Sequence, residues 1–145
     1  MSLSDIGSYA SIISFIFSLI TLILLFYIKK QFLFKSTLDK NTAELKKLSS
    51  DISSLLDSYE NNMTELDEKF RIIDVKFRFL EKSANGNLLK DIKDARNKIM
   101  LYYKKPFFSK KIYKSIQAAR DIKISISIII EELNHIKTEI KVGNK

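Results

Sequence analysis

The feature that most constrains this chain is a long stretch without charge. From Ile6 to Ile28 there is no Asp, Glu, Lys, Arg or His, and all 25 Lys and Arg residues lie at or beyond Lys29. As a helix rising about 1.5 Å per residue, the stretch covers about 34 Å, enough to cross a hydrocarbon core about 30 Å thick with slight tilt. A cleaved signal peptide wants a basic start, a shorter apolar core and a small-x-small cleavage site. Here Asp5 is the only charge ahead of the run, and Lys29-Lys30-Gln31-Phe32 follows it. The reading is a retained transmembrane helix over residues 6–28, with residues 29–145 forming a helical, coiled-coil-like domain. Lys29, Lys30 and Lys35 flank the carboxyl side, and no basic residue precedes the run. The positive-inside rule then gives a single-pass protein of the cell inner membrane, amino terminus outside and carboxyl terminus cytoplasmic.

The apolar run has a second pattern inside it. Ser4, Gly7, Ser11, Ser14, Ser18 and Thr21 recur at alternating steps of three and four, so they share one helix face. Small residues let membrane helices approach closely, and hydroxyls can bond across the contact. The competing reading is that each Ser or Thr bonds its own i−4 carbonyl and faces lipid. The stripe Gly7, Ser11, Ser14, Ser18 and Thr21 is taken as an oligomerisation face in the membrane. Phe15, Ile16, Leu19, Ile23 and Phe26 form the bulky face that meets lipid.

Beyond Lys29 the chain reads as all-α: the transmembrane helix, a long coiled-coil-like helix, then a helical hairpin. Leu45, Leu48, Ile52, Leu56, Tyr59, Met63, Leu66, Phe70, Ile73, Phe77 and Leu80 keep steps of three or four, and no Pro or Gly interrupts Lys29 to Ala84. That spacing predicts one helix from about Lys35 to Ser83, despite Asn61-Asn62. Its apolar face widens past Phe70, where Ile72, Val75 and Phe79 join it. Ser83-Ala84-Asn85-Gly86-Asn87 is a turn signal, with Gly86 suited to a left-handed conformation. Leu88, Leu89, Ile92, Ala95, Ile99 and Tyr103 mark the next helix, stopped before Pro106. In the last element Ile122 to Ile130 alternates like a strand. Yet Ile112, Ile116, Ala119, Ile122, Ile126, Ile129, Leu133, Ile136 and Ile140 hold helical steps, and a lone strand has no partner here, so a helix is expected.

Charge and composition narrow the function. The net charge is +8, and the excess of basic over acidic residues lies between Asn85 and Lys123. Lys104, Lys105, Lys110, Lys111 and Lys114, interleaved with Phe107 and Phe108, form a candidate basic surface for an acidic protein or a nucleic acid. The alternatives are anionic lipid and a plain solvated face. With 0 Cys and 1 His, disulfide frameworks, thiol nucleophiles and zinc clusters lack their residues. No phosphate-binding glycine loop, metalloprotease helix or nucleophile elbow occurs. Glu131 and His135 are helix neighbours, but two ligands do not make a metal site. No catalysis, cofactor, metal or small-molecule substrate is expected.

Ser8-Tyr9-Ala10-Ser11-Ile12-Ile13, the apolar run, and Ile28-Lys29-Lys30-Gln31-Phe32-Leu33-Phe34-Lys35 before a long helix carry a resemblance. In them the chain resembles small single-span proteins of bacterial antiphage defence, such as the membrane accessory proteins of type VI-B CRISPR systems. The likeness covers about residues 8–35 and otherwise only general layout. It implies a helical homo-oligomer joined through its span that depolarises the membrane on activation. The chain departs from the Arg-then-His feature linked to that group, because Ile128, Ile129, Ile130 and Glu131 stand where the Arg would precede His135. No functional residue carries over. The expectation is a membrane-anchored, self-assembling helical protein that perturbs the membrane as a pore-like effector or recruits a partner to it. The alternative is a membrane-tethered binding module using the basic segment.

Overall fold

Four helices account for the structure, a computed structural model that describes residues 3–104 and 114–142: α1 (Leu3–Leu56), α2 (Met63–Glu81), α3 (Gly86–Tyr103) and α4 (Ile116–Val142). The all-α expectation holds, and among the described residues there is no strand. The chain divides into two units, Met1–Ser36 and Thr37–Lys145. In the first, α1 is the only element among the described residues, and its described side chains from Ser11 to Lys30 are all exposed. It is the one helix among the described residues long and apolar enough to cross a membrane.

The second unit is a four-helix bundle whose order can be read from polar pairs between neighbours. Asp51 and Glu44 of α1 take Lys69 and Lys76 of α2, so those helices run antiparallel. Tyr59 just beyond α1 meets Tyr102 of α3, hydroxyl to hydroxyl at 3.0 Å. Asp74 and Glu81 of α2 take Arg96 of α3. Lys98 of α3 donates to Ser125 of α4 at 2.9 Å, and Lys137 of α4 pairs with Asp39 of α1. Each helix thus packs antiparallel to the next and α4 returns to α1, the up-down-up-down arrangement that short connections favour.

The core is the periodic stripe of each helix turned inward. Leu38, Leu45 and Ile52 of α1 are buried, as are Leu66, Phe70, Ile73, Phe77 and Leu80 of α2, Leu88, Ile92, Ala95 and Ile99 of α3, and Ala119, Ile122, Ile126, Ile129 and Leu133 of α4. Each Leu, Ile or Phe among them fully removed from water contributes about 1.5–3 kcal/mol before entropy is charged against it. The aromatic that closes the stripe of α3 is Tyr102, not the expected Tyr103, and it packs edge-on to Phe70.

The single helix expected from Lys35 to Ser83 is two. Helix α1 stops at Leu56, and residues 57–62 reverse the chain. The backbone N–H groups of Asn61 and Asn62 both reach the Ser58 carbonyl, and the Asn62 side chain donates to Leu55 O at 3.4 Å, occupying a carbonyl the ended helix leaves open. The apolar stripe stayed in phase across the break because a hairpin turns both apolar faces to one core. Gly86 takes the expected positive φ, 56°, at the α2–α3 corner. The alternating Ile122–Ile130 segment is helical throughout.

Candidate functional site

Three regions carry the candidate residues. The first is the small-residue stripe of α1. Gly7 lies within the helix, and Ser11, Ser14, Ser18 and Thr21 are exposed along one side. Ser18 donates to Ser14 O and Thr21 to Phe17 O, each at 2.9 Å. Those donors are committed to their own helix, which lets the hydroxyls lie in an apolar setting without an orphaned proton. What the stripe offers a neighbour is small size and oxygen lone pairs. The opposite face is bulky, with Phe15 69% exposed and Phe26 65%.

The second region is the basic segment. Lys105, Lys110 and Lys111, with Phe107 and Phe108, lie outside the described residues. Lys104 is exposed at the end of α3. Lys114 differs: it is ion-paired with Asp67 of α2 and stands 5.8 Å from the Tyr102 ring centre and 5.3 Å from that of Tyr103. Tyr103 donates to the Asp67 carbonyl at 2.7 Å. The Lys114 ammonium therefore ties the start of α4 to α2 and α3. Charge spacing alone cannot separate such a half-buried lysine from its solvated neighbours. Burial, followed by the Asp67 charge, pushes the Tyr103 phenol up to about 12, while Arg71 pulls the other way. Tyr102 is raised as well, by burial and then by its bond to Tyr59.

The third region was not singled out in the sequence. Antiparallel α2 and α3 leave a groove of about 710 Å3 lined by Arg71, Asp74, Val75, Arg78, Lys93, Arg96, Asn97, Ile99, Met100 and Tyr103. Asp74, its one acid, is claimed by Arg78 at 2.6 Å and Arg96 at 3.0 Å. Burial raises the Asp74 carboxyl, but the hydrogen bonds from Arg78 and Arg96 outweigh it and hold it below its usual range. Arg71 sits over the Tyr103 ring at 5.7 Å, and Arg71 and Lys93 are exposed without an ion pair among the described residues. The result is an apolar floor under a cationic rim. A signal existed in the i,i+7 pair Arg71 and Arg78, but it becomes a site only once α3 lies alongside.

Among the described residues no three His, Cys, Asp or Glu side chains converge as a metal cluster would. His135 meets Glu139 at 3.6 Å on the open side of α4. No protein-family model, curated protein or solved structure matches the chain. Its class is therefore defined by its own architecture: one long apolar helix that continues into a four-helix bundle.

Proposed function

We infer that this is a single-span membrane protein, amino terminus outside and bundle in the cytoplasm, that self-assembles through its span to act on the membrane. The observation that carries the reading is the exposed apolar helix with its one face of small residues. A helix so apolar has no stable place in water, since each large side chain left exposed forgoes about 1.5–3 kcal/mol. The bundle closes its own core and leaves this helix to another solvent. Small residues on one side and bulky ones on the other fit span against span, with lipid outside. In a ring of several copies the hydroxyl oxygens face inward, and Lys29 and Lys30 circle the cytoplasmic mouth, where their charge disfavours cations. The resemblance to antiphage membrane accessory proteins agrees with an effector that lowers the membrane potential.

Copy number in native membranes, paired with a potential-sensitive dye in cells overproducing the protein, tests this reading. More than two copies with loss of potential is the expected result. A monomer or dimer with potential untouched removes the pore and leaves a scaffold. A second reading is favoured by the cationic groove between α2 and α3: a tethered module that holds an acidic protein or a nucleic acid at the membrane. A salt-dependent capture that is lost with Lys93→Gln and Arg71→Gln supports that reading.

A further inference from the structure

Exposed large apolar side chains on the bundle gather mainly on two surfaces: one stands among cations, and the other carries two exposed acids, with exposed Arg120 one turn before Ile124. On α2 and α3, Val75 (46% exposed), Phe79 (66%) and Met100 (59%) stand among Arg71, Arg78, Lys82 and Lys93. On α4, Ile124 (54%) and Ile128 (45%) stand between exposed Asp121 and Glu131. Asp121, Ile124, Ile128 and Glu131 follow steps of three, four and three, so they share one face, with the acids about 15 Å apart along the helix. Glu131 holds no ion pair among the described residues, and Asp121 accepts a hydrogen bond from Gln117 of its own helix at 3.0 Å. In the groove the cations stand at two ends. Arg71 is beside Tyr103, and about 10 Å further along α2 Arg78 approaches the level of Lys93, with Lys82 one turn beyond.

We propose that the bundles of two copies dock head to tail: the Asp121-Ile124-Ile128-Glu131 face of α4 in one copy lies in the α2/α3 groove of the next. Ile124 and Ile128 cover Val75 and Met100, Asp121 meets Arg71, and Glu131 meets the Arg78, Lys82 and Lys93 end. The two surfaces stand at about the same level of the bundle. Arg96 of α3 reaches Asp74 of α2, and Lys98, two residues on, reaches Ser125 of α4, so at about 1.5 Å per residue Val75 and Ile128 are nearly abreast. Helices α2 and α4 each neighbour α1 and α3, which puts them at opposite corners. Rotation about the long axis of the bundle therefore brings one surface to the other with little sliding. Such a contact is heterologous, and each copy retains a free groove and a free α4 face, so it propagates until a ring closes. The proposal rests on self-assembly at the membrane in one respect: copies held in the same bilayer meet at high effective concentration, where a small interface suffices.

The chain has 0 Cys, which makes engineered thiols clean reporters. Full-length protein carrying both Val75→Cys and Ile128→Cys, oxidised in native membranes, is expected to give a ladder of covalent dimers, trimers and higher species. Val75→Cys and Ile128→Cys coexpressed on separate chains give dimers only, and either alone gives none. Adding Asp121→Arg and Glu131→Arg to the double-cysteine chain cuts the ladder at least tenfold, and further adding Arg71→Glu and Lys93→Glu restores it, which excludes misfolding as the cause. A missing ladder, equal cross-linking by Val75→Cys alone, or a ladder indifferent to charge reversal overturns the proposal. With Ser14→Leu in the span, survival of the charge-sensitive ladder means that the bundle contact stands without the span contact, and loss of cross-linking between single cysteines in the span, with the ladder intact, makes the span reading fail by itself.

Discussion

Lys114 shows what one residue does once its surroundings are known. Its side chain is 20% exposed and that of Asp67 18%, and the Oδ1 of Asp67 is already buried without a hydrogen bond. Lys114→Gln leaves the carboxylate without its counter-charge, at a cost of about 1–3 kcal/mol, whereas Lys104→Gln at an exposed site stays within about 0.5 kcal/mol. Urea unfolding of the full chain in detergent, followed by tyrosine fluorescence, separates the two. The phenols and Asp74 set the pH limits. Tyr103 ionises near 10 when unfolded and is pushed up to about 12 when folded, so its contribution is whole below about pH 10 and is lost as pH climbs toward 12. Tyr103→Phe is expected to flatten that alkaline loss, with Tyr102 supplying what remains. Asp74 shifts the other way: its contribution is present above about pH 4 and fades as pH falls through its lowered folded value. Asp74→Asn is expected to weaken the fold at neutral pH and shrink the acid loss. Acid and alkaline melts of the three chains check both statements.

At the scale of elements, much of the architecture was legible and two features were not. The stripes of α2, α3 and α4 named most of the core because a 3.6-residue period fixes which side chains face inward. The alternating isoleucines of α4 resolved as helix for the same reason, with Ile122, Ile126 and Ile129 buried. Period carries no information about direction, so Leu56 to Met63 looked like one continuing helix when the chain in fact reverses there. The turn depends on local chemistry in Asp57-Ser58-Tyr59-Glu60-Asn61-Asn62, where the Asn side chain competes for backbone partners. Asn62→Ala removes the bond to Leu55 O and is expected to cost about 1 kcal/mol, read as a lower urea midpoint with unchanged slope. Gly86→Ala places a Cβ at φ 56° with nothing within 4 Å, so the penalty is conformational, about 1 kcal/mol, and independent of packing. The groove between α2 and α3 was illegible for the same reason as the turn: its two walls are neighbours only after the reversal is known.

For the whole molecule, the division of labour between a lone apolar helix and a closed bundle was written in the charge distribution. The uncharged run ends where the first lysines begin, and α1 passes Lys29 and Lys30 without a break. Reporter fusions at Lys145 are expected to light a cytoplasmic reporter and leave alkaline phosphatase silent; the reverse pattern would overturn the assigned orientation. The central claim is that copies meet through the small-residue face of the span. Single cysteines placed in turn from Ser11 to Phe26 of the full chain, oxidised in native membranes, test it most directly. Cross-linking is predicted to peak at Ser11, Ser14, Ser18 and Thr21 and to vanish at Phe15, Leu19 and Ile23, tracing a 3.5-residue period. Uniformly absent cross-linking, or peaks on the bulky face, would contradict the account.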